Sequence, residues 1–138
     1  MNTREMTDRI ATGQGFIAAL DQSGGSTPKA LRGYGVDDSE WSGDAEMFGA
    51  IHAMRARVIT SPCFASGKVI GAILFERTMD DVVDGVSTGD ALKARGIVPF
   101  IKVDEGLADD ADGVQLMKPM VKLAALLEKS VAAGMFGT

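Results

Sequence analysis

Short apolar runs bounded by glycines and charged residues alternate along this chain with longer stretches whose apolar residues return every three or four positions. FIAALD (16–21), VIGAILF (69–75) and IVPFIKV (97–103) are runs of the first kind. Each is nearly continuous in apolar character and too brief for a core helix, which predicts strands buried on both faces. Stretches of the second kind predict helices. Met6 and Ile10 lie one turn apart in a helix over 3–12 that Gly13 and Gly15 stop. Ser26 or Thr27 caps a short helix with Pro28 in its first turn, ending near Gly33 and Gly35. After a polar loop, Met47, Phe48, Ile51, Met54 and Val58 line one face of a longer helix over 44–59. A brief helix is predicted over 90–95, ended by Gly96, and a last one over 119–133 with Met120, Leu123, Leu127 and Val131 on its apolar face. Residues 135–138 read as the start of a fourth strand.

Strands that alternate with helices and are themselves continuous apolar runs predict an α/β fold, a parallel sheet with helical crossovers. No short repeat and no linker interrupts the pattern, so residues 1–138 form one unit without an internal domain boundary. Three strands with helices on one side make a poor closed core. The pattern therefore points to the N-terminal half of a longer protein, or the ordered part of one.

Charge and composition narrow the partners. With 14 Lys and Arg against 19 Asp and Glu the net charge is −5, and no basic cluster occurs. Nucleic-acid binding, which rests on phosphate neutralisation, is disfavoured. One cysteine, Cys63, and one histidine, His52, leave no internal disulfide, no His-paired metal site and no Ser-His-Asp triad. By spacing, His52 falls off the apolar helix face and reads as a surface residue, while Tyr34 and Trp41 read as packing residues at the sheet edge. Asp109, Asp110 and Asp112 read as a solvated loop. Neither a GxGxxG nor a Walker sequence is present. The charged N-terminus has no signal-peptide core, and no apolar run approaches the roughly 20 residues of a membrane span. A reducing cytoplasmic setting is expected, with no membrane partner.

In parallel α/β folds functional groups collect at the carboxyl ends of the strands. Here those ends carry Asp21, Glu76-Arg77 and Lys102-Val103-Asp104. Period two puts Phe100, Lys102 and Asp104 on one face. A lysine inside an apolar strand needs a counter-charge, which Asp21 or Asp104 can supply. Two readings stand side by side: a structural ion pair closing the sheet, and a functional pair. The Ser23-Gly24-Gly25-Ser26 turn ahead of a helix reads either as a plain connection or as a backbone nest for an anion.

The stretches AALDQSGGSTPKAL (18–31), GAILFERTM (71–79), GIVPFIKVDEGL (96–107) and GVQLMKPM (113–120) resemble, in order and spacing, the class I fructose-bisphosphate aldolases, most closely the short bacterial-type branch. The resemblance implies a TIM (β/α)8 barrel, of which this chain supplies roughly the first half. It implies metal-independent, cofactor-free cleavage of fructose 1,6-bisphosphate to glycerone phosphate and glyceraldehyde 3-phosphate through a lysine Schiff base. Asp21 then matches the aspartate that handles protons around the carbinolamine and the C–C bond, and Lys102 matches the lysine contacting substrate near the cleaved bond. Ser23, Ser26 and Lys29 fall in the phosphate-side loop. Animal-type enzymes have a glutamate where this chain has Gln22. The Schiff-base lysine, the acid/base glutamate and a second active-site lysine belong to later strands of the family and are not in this sequence, so the chain by itself is expected to be inactive. The alternative is a non-catalytic half-barrel that binds a sugar phosphate or self-associates as a homo-oligomer through its open sheet edges.

Overall fold

A computed structural model of the chain describes residues 1–23, 26–65 and 67–138. Helix α1 (Thr3–Thr12) opens with a capping box: Asn2 Oδ1 accepts the Glu5 N–H at 3.0 Å and Glu5 Oε2 accepts the Asn2 N–H at 2.7 Å. Strand β1 (Phe16–Leu20) follows, then α2 (Ser26–Gly33), a 3-10 turn at Asp38–Glu40, and the long α3 (Gly43–Thr60). Strand β2 (Val69–Leu74) leads directly into α4 (Glu76–Asp80). A small antiparallel hairpin, β3 (Val82–Val83) and β4 (Val86–Ser87), turns through Asp84 and Gly85, both at positive φ. Helix α5 (Thr88–Ala94), β5 (Val98–Ile101) and α6 (Leu123–Ala132) complete the order.

The three main strands are parallel, with β2 between β1 and β5, so spatial order follows chain order. Ile101 N–H donates to Gly137 O at 3.0 Å and Phe136 N–H to Pro99 O at 2.8 Å, so residues 136–137 begin a fourth parallel position beside β5. The predicted fourth strand therefore starts where expected. A doubly wound sheet would reverse its order at some point; this arc does not.

Register decides the two faces. Ala18–Ala72–Pro99 and Leu20–Leu74–Ile101 are aligned rows. They point toward the helices and build the main core with Ile59, Phe64, Met79, Val83, Leu92 and Ile97. A second cluster, Leu31, Met47, Ile51 and Met54, joins α2 to α3. The opposite face carries Ile17, Ala19, Gly71, Ile73, Val98 and Phe100. The Phe100 ring lies over Gly71, where a Cβ would stand 2.9 Å from Cε2, and meets Phe136 edge-on at 5.5 Å.

Several expectations need correction. Strand β1 is not buried on both faces: it is an edge strand, Ile17 on the face away from the helices is 44% exposed, and Phe16 at its start, beside α3, is 56% exposed. Glu76 and Arg77 do not prolong β2 but open α4, and the hairpin after it was not foreseen. The third strand is shorter than predicted, and α6 starts at Leu123 instead of Pro119. Leu126 and Ala133, not Leu127 and Val131, pack α6 against the core; Val131 is 77% exposed. Spacing alone cannot separate two apolar stripes when both are present on one helix. Tyr34 is exposed, whereas Trp41 packs against the second cluster.

This choice of stripe is directly measurable. Leu126→Ala should lower the free energy of unfolding by about 1–3 kcal/mol, as a half-buried leucine contact is lost. Val131→Ala should stay within about 0.5 kcal/mol of the parent in the same urea titration; the reverse ranking would restore the stripe read from spacing.

Candidate active site

The face opposite the helices continues past the strand ends into the residues that carry charge. Asp21 follows β1 immediately and Lys102 follows β5; the Lys102 N–H donates to Leu74 O at 2.9 Å, extending the ladder by one residue. Alternation puts Asp21, Phe75 and Lys102 on the same face as Ile17, Ile73 and Phe100. Asp21 and Lys102 line one cavity of about 300 Å3, with Asp104, Met117 and Met120. Lys102 also lines a neighbouring cavity of about 550 Å3 with Ser23, Glu76, Glu105, Lys118 and Lys122.

The counter-charge of Lys102 is Asp104, which its ammonium contacts directly. Asp104 Oδ1 also accepts the Gly106 N–H at 3.0 Å. The Lys102 hydrogen bond, and after it that backbone N–H, hold the Asp104 carboxyl below its usual range. Of the two carboxylates proposed from sequence as partners for Lys102, the adjacent Asp104 takes the ion pair. Asp21 stands on the shared cavity without an ion pair among the described residues.

Asp21 has a different neighbour. Arg55, on α3, is only 1% exposed. Its Nη1 donates to Thr78 Oγ1 at 2.6 Å and its Nη2 to the Gln22 carbonyl at 2.5 Å and to Gln22 Oε1 at 3.3 Å. Burial pushes its pKa down to about 10, against which the Asp21 carboxylate works in the opposite sense; the guanidinium stays charged at neutral pH. A buried cation is thus clamped onto the residue after Asp21. Sequence reasoning missed Arg55, although a signal was present: Met47, Ile51, Arg55 and Ile59 recur every four residues, so a cation stands inside a buried stripe. Lys118 and Lys122 were missed as well, although GVQLMKPM had been singled out as a whole.

The phosphate-side candidates are less closely gathered. Ser23 reaches the larger cavity. The Ser26 hydroxyl is turned back into its own loop, accepting the Ser23 N–H at 3.0 Å and donating to Ser23 O at 2.9 Å. Lys29 is exposed on α2 and lines neither cavity. The proposed nest depends on Gly24 and Gly25, which lie outside the described residues. His52 is not a surface residue as expected: its Nε2 lies 2.8 Å from Val82 O under the β3–β4 hairpin, and its side chain is 18% exposed. Among the described residues no His, Cys, Asp and Glu grouping suits a metal ion, and no helix is long and apolar enough to cross a membrane.

A family model, fructose-bisphosphate aldolase class-I, matches residues 3–118. The chain belongs to the class I fructose-bisphosphate aldolase family. In three dimensions this aldolase chain is similar to the fructose-bisphosphate aldolase of Plasmodium falciparum solved with TRAP and a small-molecule inhibitor. The TM-score is 0.71 at 22% sequence identity, over 96% of this chain and 38% of the other. At that identity the likeness speaks for the fold, an aldolase-like parallel sheet with helices. The chain spans well under half the length of that solved aldolase.

Two outcomes follow from the geometry around Asp21 and Lys102. Arg55→Met removes the charge-assisted hydrogen bonds to Thr78 and Gln22 from a buried position and should cost about 2–4 kcal/mol of stability in chemical denaturation; an unchanged midpoint would show that the clamp is idle. Because the folded Asp104 carboxyl is depressed, its contribution is fully present above the ordinary aspartate range and is lost as pH falls through the lowered value. A carbon-detected NMR titration should place the Asp104 midpoint below about 3.9, and Lys102→Met should move it upward.

Proposed function

We propose that the chain contributes the first βα units of a closed (β/α)8 barrel that cleaves fructose 1,6-bisphosphate reversibly into glycerone phosphate and glyceraldehyde 3-phosphate. The observation that carries this reading is the convergence of Asp21 and Lys102 on one cavity at the carboxyl edge of the sheet, in a chain of the aldolase family.

In this reading a lysine from polypeptide outside these residues condenses with the substrate ketone, losing water and forming an iminium. A base removes the proton of the hydroxyl beside the scissile bond. That bond breaks, the aldehyde departs, and its electron pair flows into the iminium to give an enamine. Protonation and hydrolysis then free glycerone phosphate and regenerate the lysine. Asp21 takes up and returns protons around the carbinolamine and the breaking bond, steadied by Arg55 behind Gln22. Lys102 places a positive charge against the hydroxyl oxygen that gains charge as its proton leaves, before the bond breaks, and Asp104 holds its ammonium in place until substrate arrives. Ser23, Lys118 and Lys122 border the larger cavity, where a phosphate would meet hydroxyl and ammonium donors; Ser26 and Lys29 line neither cavity. The setting is the cytoplasm, and no metal takes part.

Borohydride trapping of the complete gene product with glycerone phosphate tests this. A covalent adduct insensitive to EDTA is expected, with none on residues 1–138 alone. Lys102→Met should lower kcat by about 100-fold or more, the effect of removing one preorganised donor of charge. Activity abolished by EDTA, or an adduct on Lys102 itself, would overturn the assignment. A tight sugar-phosphate complex of the 138-residue chain without turnover in the complete product would instead identify a binding module.

A further inference from the structure

A separate cleft, of about 400 Å3, lies outside the sheet between α3 and α4 and is lined by Phe48, His52, Arg55, Arg77, Thr78 and Asp81, among others. Two of its nitrogens are buried and have no hydrogen-bond partner among the described residues: Arg55 Nε and His52 Nδ1. A native fold seldom leaves such groups unsatisfied; His52 Nδ1 has the Asp81 carboxylate 3.6 Å away, beyond hydrogen-bond reach. Both terminal nitrogens of Arg55 are engaged, Nη1 with Thr78 and Nη2 with Gln22, whereas its Nε–H is not. Thr78 Oγ1 accepts from Arg55, which leaves its own hydrogen to donate.

Arg77 supplies a second cation. Its guanidinium lies 4.1 Å above the Phe48 ring, and among the described residues it forms no ion pair. Stacking occupies the flat face of a guanidinium and leaves its in-plane N–H groups free, already oriented. The acidic residues nearby are engaged. Asp80 accepts from Lys129 at 2.5 Å, and Asp81 accepts the Val82 N–H at 2.9 Å through Oδ1, while its Oδ2 stands 3.6 Å from His52 Nδ1. His52 Nε2, at 2.8 Å from a carbonyl oxygen, carries a hydrogen, so in the neutral ring Nδ1 is an acceptor, and a ligand hydroxyl that reached it would also meet Asp81 Oδ2.

We propose that this cleft binds a small phosphate-type oxyanion, held by the in-plane N–H groups of Arg77, the Nε–H of Arg55 and the hydroxyl of Thr78. The cleft has room beyond the phosphate itself, and a hydroxyl on the same molecule would meet His52 Nδ1 and Asp81 Oδ2, so a phosphorylated polyol is the class of ligand proposed. This site does not depend on the aldolase reading. It shares with the Asp21 rim only Arg55, whose far side grips Gln22.

The test is a titration of the 138-residue chain with inorganic phosphate, with chloride at matched ionic strength as the comparator, read from the Arg Nε–H and His52 ring resonances. Saturable shifts of Arg55 and Arg77 in phosphate alone are expected. Arg77→Gln, an exposed substitution that leaves the core untouched, should weaken the binding about tenfold or more, the loss of one charge-assisted hydrogen bond. Lys102→Met should leave it unchanged. Shifts that fail to saturate, equal shifts in chloride, or binding lost in Lys102→Met but kept in Arg77→Gln would overturn the proposal, the last by moving phosphate to the rim cavities.

Discussion

Parallel pairing of β1, β2 and β5 in one register is the constraint from which the other features follow. Because side chains alternate along a strand, aligning Leu20, Leu74 and Ile101 in one row commits every second residue to the helix-facing core. The residues between them are committed, by the same geometry, to the other face. Asp21 and Lys102 are the last members of that second set. A slip of one residue would carry both into the apolar layer beneath the helices, where neither charge has a partner. The core and the candidate site are therefore two consequences of one alignment.

Arg55 joins these two consequences. It enters from the helix layer, at a position where apolar packing is the rule, and reaches the loop after β1. Its burial is unfavourable on its own, as the lowered pKa reflects, and is offset by hydrogen bonds to Thr78 and Gln22 and by the field of Asp21. The arrangement makes the rim dependent on helix packing: α3 cannot shift relative to β1 without breaking the bonds that hold Gln22. Because residue 22 is a neutral amide, it accepts from Arg55 without cancelling its charge, which leaves that charge to act on Asp21.

The second face of the sheet is unevenly covered. Val98 is fully buried, while Ile17 on the edge strand is 44% exposed. Apolar side chains on α6 and on the loop before it, Val131 and Leu116 among them, are likewise exposed. These surfaces suit further packing, and the lack of a reversal in strand order is what an arc of a barrel requires.

The sequence by itself determined the order of the main strands and the longer helices, the parallel class of sheet, the three main strands within two residues at their ends, the start of the fourth, and the candidacy of Asp21 and Lys102. Those features rest on local regularities: continuous apolar runs, glycine stops, and charge at the ends of strands. The likeness to the aldolase family was legible too, because the strand-end stretches keep their order and spacing. Tertiary structure alone decided which of two apolar stripes on α6 is buried, that Asp104 takes Lys102, that His52 is covered by a hairpin, and that Arg55 backs Asp21. Each of these is a contact between segments distant in the chain or a choice between partners of equal chemistry. Periodicity reports which face of an element is apolar, but not what comes to lie against it.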